Sequence, residues 1–149
     1  MRPVATAALF ALATLAAPFA QASDASPVGL WKAIDDNSGK PTALIRITEE
    51  RGELRGKIEQ LFRAPGEDPN PKCTLCSDAR KDQPILGMTI VSGLKKDGDE
   101  YKDGEILDPN NGKIYKSKLS VHDGGKKVEV RGYVGVPMFG RSQVWLRQE

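Results

Sequence analysis

Four strand-like stretches decide the fold: Glu100–Leu107 (EYKDGEIL), Lys113–Val121 (KIYKSKLSV), Lys126–Val134 (KKVEVRGYV) and Ser142–Arg147 (SQVWLR). Residues typical of turns separate them, namely DPNNG at 108–112, DGG at 123–125, and a segment that contains Gly135, Pro137 and Gly140. Strands of this length joined by short turns are typical of an antiparallel meander. We therefore expect each of these strands to pair with the next one in sequence.

The preceding part of the chain supplies four further strands. We predict Val28–Ile34, Thr42–Thr48, Leu54–Phe62 and Ile85–Leu94. Apolar and polar residues largely alternate in the second and third of these, which is the period of a half-buried strand. Eight strands predict an all-β, antiparallel up-and-down barrel, because closure removes the exposed edges. The alternative is a two-sheet β-sandwich. A barrel of eight strands can be filled by side chains or hold one small ligand, and the sequence leaves both open.

The first 22 residues have the pattern of a secretory signal peptide. Arg2 gives a positive start, Ala5–Ala20 is apolar, and Ala20-Gln21-Ala22 places small residues at the cleavage site. We expect cleavage after Ala22, a periplasmic or secreted protein, and one mature domain over residues 23–149. The apolar run is short for a bilayer span, so a transmembrane anchor is the weaker interpretation.

The charge of the chain is close to balanced. It has 22 Lys and Arg against 20 Asp and Glu, and loss of Arg2 with the signal peptide leaves 21 against 20, a formal charge of +1. Both signs are interspersed, whereas nucleic acids and anionic membranes are bound through clustered basic residues. We therefore expect no nucleic-acid partner. We also predict no cofactor, and the oligomeric state stays open.

A proline-rich segment over residues 63–84 interrupts the strand pattern and contains the only two cysteines, Cys73 and Cys76. Prolines are excluded from central strands, so we predict a long ordered loop. In an exported protein the pair is expected to form a structural disulfide. The alternatives are a redox-active pair, which usually follows a strand and begins a helix, and a zinc site, for which a second cysteine pair is absent.

Other residues could carry chemistry or binding. Glu105 lies in mid-strand and, if it points inward, Arg131 and Arg141 are its candidate partners in a buried charge network, because a buried carboxylate needs one. His122, the only histidine, is expected to be an exposed turn residue, although a catalytic triad is defined by geometry rather than sequence order. We find no catalytic constellation in the sequence.

The apolar segment before the last strand contains Val136, Pro137, Met138 and Phe139. An apolar loop needs a core or a partner to cover it. We expect these residues to pack over one end of the barrel. The alternative is a lip at a ligand mouth or at a protein contact.

Over nearly the whole mature chain, the sequence resembles a bacterial exported family defined as a domain of unknown function, number 2147 in that series. The resemblance is carried by GLW at 29–31, PGEDPNP at 65–71, CTLC at 73–76, GEILDP at 104–109, NGK at 111–113, RGY at 131–133 and GR at 140–141 followed by Trp145. The resemblance implies no activity and no functional residues.

Gly29-x-Trp31 on the first strand and Arg147 on the last also resemble the lipocalin barrels. This resemblance implies that Arg147 stacks on Trp31 and closes the barrel floor, a contact worth about 0.5–2 kcal/mol. Trp145 and Gln143 would then point inward with Arg147, whereas Val144 and Leu146 would point outward. The long proline-rich loop departs from the lipocalin pattern.

These observations favour an exported β-barrel that binds a small or lipophilic ligand, or an envelope protein at its rim. One alternative is a periplasmic hydrolase or thiol-redox enzyme. Another is a structural or stress-related envelope protein without a ligand. A hollow barrel interior, larger than about 300 Å³, would favour ligand binding over a filled one.

Overall fold

The computed structural model describes residues 25–149, which form a closed β-barrel. The strands are β1 (Gly29–Ile34), β2 (Pro41–Glu50), β3 (Glu53–Leu61), β4 (Thr89–Asp97), β5 (Glu100–Asp108), β6 (Lys113–His122), β7 (Lys127–Tyr133) and β8 (Gly140–Arg147), with 3₁₀ turns at Asp123–Gly125 and Pro137–Phe139. Each strand pairs antiparallel with the next, and β8 pairs with β1. The up-and-down barrel is therefore confirmed, and the sandwich is excluded.

The fourth strand differs from the prediction. β4 begins at Thr89 rather than Ile85, because residues 85–88 form a tight turn. The Met88 amide donates to the Ile85 carbonyl oxygen at 3.1 Å, and Gly87 has a φ of 86°, a conformation that glycine adopts readily. Ile85 and Met88 are nevertheless buried in the core. The apolar run therefore marked burial rather than a strand, and the disulfide loop, as we call it from here, spans residues 62–88.

The barrel has two different ends. At the closed end lie residues 25–28, the turns at 51–52, 98–99 and 123–125, and the C-terminus. At the open end lie the β1–β2 turn, the disulfide loop, the β5–β6 turn and the loop over residues 134–139. The interior towards the closed end is filled by large side chains, which include Trp31, Ile47, Leu54, Leu94, Leu119 and Val128.

Trp31 and Arg147 meet at the closed end. Trp31 is 0% exposed, and its indole N–H donates to the Pro27 carbonyl oxygen at 2.8 Å. The Arg147 guanidinium lies 4.3 Å from the Trp31 ring centroid and donates to the carbonyl oxygen of Val28 at 3.0 Å. A Cβ at Gly29 would lie 2.6 Å from Arg147 Nη1. Glycine is therefore required two residues before this tryptophan.

The last strand takes the register that the lipocalin resemblance implies. Trp145 is buried, whereas Val144 and Leu146 are exposed on the outer surface. On one side β8 pairs with β7, with Gly140 opposite Tyr133 at one end and Leu146 opposite Lys127 at the other. On its other side β8 pairs with β1, where Arg147 lies opposite Trp31. These pairings on both sides fix which residues face inward, and two apolar side chains are left outside as a result.

The predicted signal peptide, residues 1–22, and the first two residues of the predicted mature chain lie outside the described residues. No helix within residues 25–149 is long and apolar enough to cross a membrane.

Candidate ligand-binding cavity

A cavity of about 680 Å³ opens at the open end of the barrel. Its walls come from every strand of the barrel and from the loops around the mouth. The apolar residues that line it include Ala33, Ala43, Ile45, Ile58, Leu61, Ile90, Ile106, Leu107, Val130 and Trp145. The barrel is therefore filled at one end and hollow at the other, which the sequence alone could not decide.

One polar side chain lies among these apolar walls. Gln143 lines the cavity, and its Oε1 accepts a hydrogen bond from the Trp145 indole nitrogen at 3.2 Å. Within residues 25–149 no group accepts a hydrogen bond from the Gln143 side-chain amide nitrogen, which carries two donors. The cavity thus offers hydrogen-bond donors to whatever enters it.

The rim of the cavity is polar, charged and aromatic. The charged residues that line it are Asp35, Arg63, Glu67, Asp108 and Arg141, and the aromatic ones near the mouth are Phe62, Tyr115, Tyr133 and Phe139. Several of these residues lie at the mouth because strands end there. β1 ends just before Asp35, β5 ends at Asp108 and β7 ends at Tyr133. An apolar interior with a few polar groups at its edge is typical of small-molecule sites.

The disulfide loop forms part of the wall on the β3–β6 side. Cys73 and Cys76 form a disulfide with Cα atoms 5.4 Å apart, and both are buried, so the predicted disulfide is confirmed. The Cys73 carbonyl oxygen accepts from the Asp82 amide at 2.9 Å. A Cβ at Gly112 would overlap the Leu75 carbonyl oxygen, so the loop packs directly against the backbone of the β5–β6 turn.

The burial of the two sulfur atoms bears on the redox interpretation. Thiol–disulfide exchange requires access of an attacking thiolate to one sulfur. Cys73 and Cys76 have almost no exposed surface, and no helix begins at the pair. The buried position of the disulfide is typical of a structural crosslink, which here shapes the loop.

The apolar residues before β8 do not pack over the barrel end, so that expectation was wrong. Val136, Met138 and Phe139 are 51%, 80% and 74% exposed. We call these three residues and Pro137 the lip. Arg131 holds the lip by donating to the Pro137 carbonyl oxygen at 2.6 Å and to the Gly140 carbonyl oxygen at 3.2 Å. The lip is a fixed, exposed apolar surface beside the mouth, and Phe139 lines the cavity.

The predicted charge network of Glu105, Arg131 and Arg141 does not form. β5 has a register shift between Tyr101 and Gly104 that includes Asp103 at a φ of 61°. After this irregularity Gly104 is buried and Glu105 is exposed. Arg131 binds the lip instead, and Arg141 forms an ion pair with Asp36 at 2.9 Å.

His122 lies on the outer surface, half exposed, in a short polar cluster. Its Nε2 lies 2.9 Å from Ser120 Oγ and 3.9 Å from Glu129 Oε2. A catalytic triad needs the hydroxyl and the carboxylate on opposite ring nitrogens, whereas here both face Nε2. Asp123 pairs with Lys127 at 3.1 Å instead of with His122. Among residues 25–149, no three His, Cys, Asp or Glu side chains cluster in a way that would hold a metal ion.

Sequence reasoning placed Gln143 on the inward face of the barrel, as the structure does, but it did not place the rim carboxylates at a cavity. Asp35 and Asp108 have the sequence context of turn residues, and both do hold turns: Asp35 Oδ1 accepts from the Ser38 amide at 2.7 Å, and Asp108 Oδ1 from the Asn110 amide at 2.9 Å. The available signal was topological. In an up-and-down barrel, alternate turns share one end, so Asp35 and Asp108 had to lie at the same mouth.

A model of a known protein family matches residues 29–147 of the chain. The model is described as "Uncharacterized protein conserved in bacteria (DUF2147)". The chain belongs to this family. No curated protein matches the sequence.

A solved structure supports the second resemblance. Protein HP1028 from the human pathogen Helicobacter pylori is described as belonging to the lipocalin family. It is similar to this chain with a TM-score of 0.70 and 17% identity over 84% of each chain. At this identity the similarity concerns the fold, so the lipocalin-like barrel is confirmed.

Proposed function

We propose that this protein is an exported binding protein that holds the apolar part of a small ligand in the open end of its barrel. The observation that carries the proposal is the apolar cavity of about 680 Å³. Ligand sites in proteins have volumes of about 300–1,000 Å³. Each methylene group that leaves water for such a wall contributes about 0.8 kcal/mol.

Export is part of the same proposal. The signal-peptide pattern over residues 1–22 supports it, as does the disulfide, because disulfides persist in oxidising compartments such as the periplasm. The site is proposed for binding rather than catalysis. The His122 cluster, which contains the only histidine of the chain, lies on the outer surface away from the cavity lining.

The lip supports a lipophilic ligand. Exposed apolar patches beside a cavity mark surfaces that contact a ligand or partner. Because Arg131 fixes the lip in place, its apolar side chains are presented to solvent without the loop having to order on binding. A molecule with an apolar chain would pass Met138 and Phe139 before it reaches the interior walls.

Native mass spectrometry of protein purified from its own periplasm tests the proposal. We expect a bound mass that is released on denaturation. Ala43→Phe fills the cavity, since Ala43 is a buried wall residue, and Ala79→Phe adds the same side chain on the exposed surface of the disulfide loop. The first variant should lose the bound mass and the second should keep it, with circular dichroism showing that both are folded.

A second measurement uses the neutral apolar dye N-phenyl-1-naphthylamine on protein freed of any bound mass. We expect fluorescence enhancement in the wild type and in Ala79→Phe, and about tenfold weaker binding in Ala43→Phe. If the wild type neither carries a bound mass nor binds the dye, the binding function is wrong and a structural envelope role is favoured. Equal dye binding by the two variants would place the dye elsewhere and would also contradict the proposal.

A further inference from the structure

We propose that the ligand is a cationic amphiphile, with an apolar chain in the barrel and a protonated amine or quaternary ammonium group at the rim. This inference rests on the binding function proposed above and names its ligand class. It is carried by three features of the rim: an excess of carboxylates, guanidinium groups that are already paired, and several aromatic side chains.

The rim carries more negative than positive charge. Asp35, Glu67 and Asp108 line the cavity together with two arginines, and Asp36 is bound to one of those arginines. Four carboxylates against two guanidinium groups give a formal charge of −2. No lysine lines the cavity within residues 25–149. A carboxylate on the ligand would therefore meet like charge, which suppresses binding of the wrong partner.

Both rim arginines already have partners. Arg141 donates from Nη2 to Asp36 Oδ2 at 2.9 Å. Arg63 donates from Nε to the Asp68 carbonyl oxygen at 3.0 Å and lies 3.4 Å from Glu67 Oε2. A ligand carboxylate would have to share each guanidinium with a protein carboxylate that is already bound to it, so it would gain less there than at an arginine without an acidic partner.

Two rim carboxylates, by contrast, have an oxygen available. Asp35 and Asp108 each use Oδ1 to accept backbone amides of their own turns, and neither forms an ion pair within the described part of the chain. The Ser38 amide and hydroxyl, and the nearby Arg141 guanidinium, lower the pKa of Asp35. The turn hydrogen bonds also hold both side chains in place, so little ordering is needed when a cation binds.

Aromatic side chains line the same mouth as these carboxylates. Phe62, Tyr115, Tyr133 and Phe139 all line the cavity. The faces of aromatic rings attract cations, and quaternary ammonium ligands are commonly recognised by such rings. An anionic head group would gain nothing from the ring faces.

The test is displacement of bound N-phenyl-1-naphthylamine by three probes that share a twelve-carbon chain: dodecylamine, dodecanol and dodecanoate. All are used at neutral pH, below the concentrations at which they aggregate. We expect dodecylamine to displace the dye at about tenfold lower concentration than dodecanoate, with dodecanol between them. The preference should shrink as salt is added, because the rim charges are exposed to solvent.

The variant Asp35→Asn/Asp108→Asn removes two rim charges and keeps the Oδ1 acceptors of both turns. It should reduce the amine preference to about twofold or less, and dodecanol, which carries no charge, should lose less affinity than dodecylamine. Asp123→Asn is the matched control, since Asp123 lies at the closed end and pairs with Lys127. This control should keep the full preference.

The outcomes separate the two proposals. If dodecanoate binds as well as dodecylamine, or if the double variant keeps the wild-type preference, the cationic ligand is wrong while the binding function stands. If neither the dye nor any of the three probes binds, the binding function itself is wrong.

Discussion

The closed and open ends of the barrel are made by the same eight strands, yet they differ in what covers them. At the closed end Trp31 is sealed under Arg147, whose guanidinium donates to main-chain oxygens of Val28 and Glu149. At the open end the walls are apolar, but Met138 and Phe139 remain exposed and a cavity of about 680 Å³ stays open.

This difference separates stability from binding. Burial of large side chains towards the closed end supplies much of the hydrophobic free energy of folding. Fewer large side chains are buried at the open end, because the cavity lies there. Its loops are held instead by short-range contacts, namely the disulfide, the Arg131 hydrogen bonds to the lip, and Asx turns. Substitutions of the buried side chains at the closed end should therefore lower the free energy of unfolding most, whereas substitutions of the exposed side chains at the mouth should mainly change binding.

The largest expected effect comes from Trp31→Ala. The substitution removes a fully buried side chain, its hydrogen bond to Pro27 and its contact with Arg147. We expect the free energy of unfolding to fall by about 3–5 kcal/mol, measured by urea denaturation. If that variant does not fold, Trp31→Phe should show a smaller loss of about 1–3 kcal/mol.

Phe139→Ala is the matched variant at the open end. It also removes an aromatic side chain, but one that is largely exposed, so we expect less than about 0.5 kcal/mol of destabilisation and weaker binding of N-phenyl-1-naphthylamine. Equal destabilisation by Trp31→Ala and Phe139→Ala would contradict the division between the two ends.

The next largest effect is expected from Cys73→Ala/Cys76→Ala. Loss of a short-range disulfide should lower the free energy of unfolding by about 2 kcal/mol. The far-UV circular dichroism of the barrel should be retained. Hydrogen exchange should accelerate in residues 62–88 and stay unchanged at the closed end. Complete unfolding would show that the disulfide loop stabilises the whole barrel rather than one side of its mouth.

The sequence predicted the regular parts of both ends well. The alternation of apolar and polar residues along β2 and β3 predicted two strands, and the turn residues at 108–112 predicted a turn. The structure has both, because no tertiary contact overrides the local preference there. The position of Trp31 against Arg147 followed from a resemblance rather than from periodicity.

The errors arose where tertiary contacts override local pattern. The apolar residues Ile85 and Met88 are buried by a turn rather than a strand, and an irregularity at Asp103 decides which way Glu105 points. The cavity could not be predicted, because its volume depends on how closely side chains from all eight strands pack, and no single segment encodes that.

A smaller, stabilising effect on the free energy of unfolding is expected at the boundary between the cavity and the filled core. Ser117 lies on β6 between Tyr115, which lines the cavity, and Leu119, which belongs to the filled core. It is 0% exposed, and its Oγ has no hydrogen-bond partner within the described residues. A buried unpaired hydroxyl costs about 1–3 kcal/mol. We therefore expect Ser117→Ala to raise the free energy of unfolding by about 1 kcal/mol.

Ser120→Ala on the same strand is the control for Ser117→Ala. The Ser120 hydroxyl contacts His122 near the surface, so its loss should change the free energy of unfolding by less than about 0.5 kcal/mol. Destabilisation by Ser117→Ala would indicate that the hydroxyl binds a buried water at the floor of the cavity.

The smallest expected effect is a pH dependence at the open end. Hydrogen bonds from Arg80 lower the pKa of Asp78 to about 2, and Arg80 also donates to the carbonyl oxygen of Thr89, the first residue of β4, at 3.0 Å. Because the folded-state pKa lies below the unfolded value of 3.8, this contribution is fully present above pH 4 and is lost as the pH falls towards 2.

Asp78→Asn removes that titration. Its melting temperature should be slightly below that of the wild type at pH 7, and the difference should disappear between pH 4 and pH 2, as measured by thermal scans across that range. Asp82→Asn is the matched control, because Asp82 lies in the same loop and forms no ion pair within residues 25–149, so its curve should run parallel to the wild-type curve. Parallel curves for Asp78→Asn as well would mean that the Arg80 contact does not anchor the disulfide loop to β4, and that the open end depends on the disulfide and backbone packing alone.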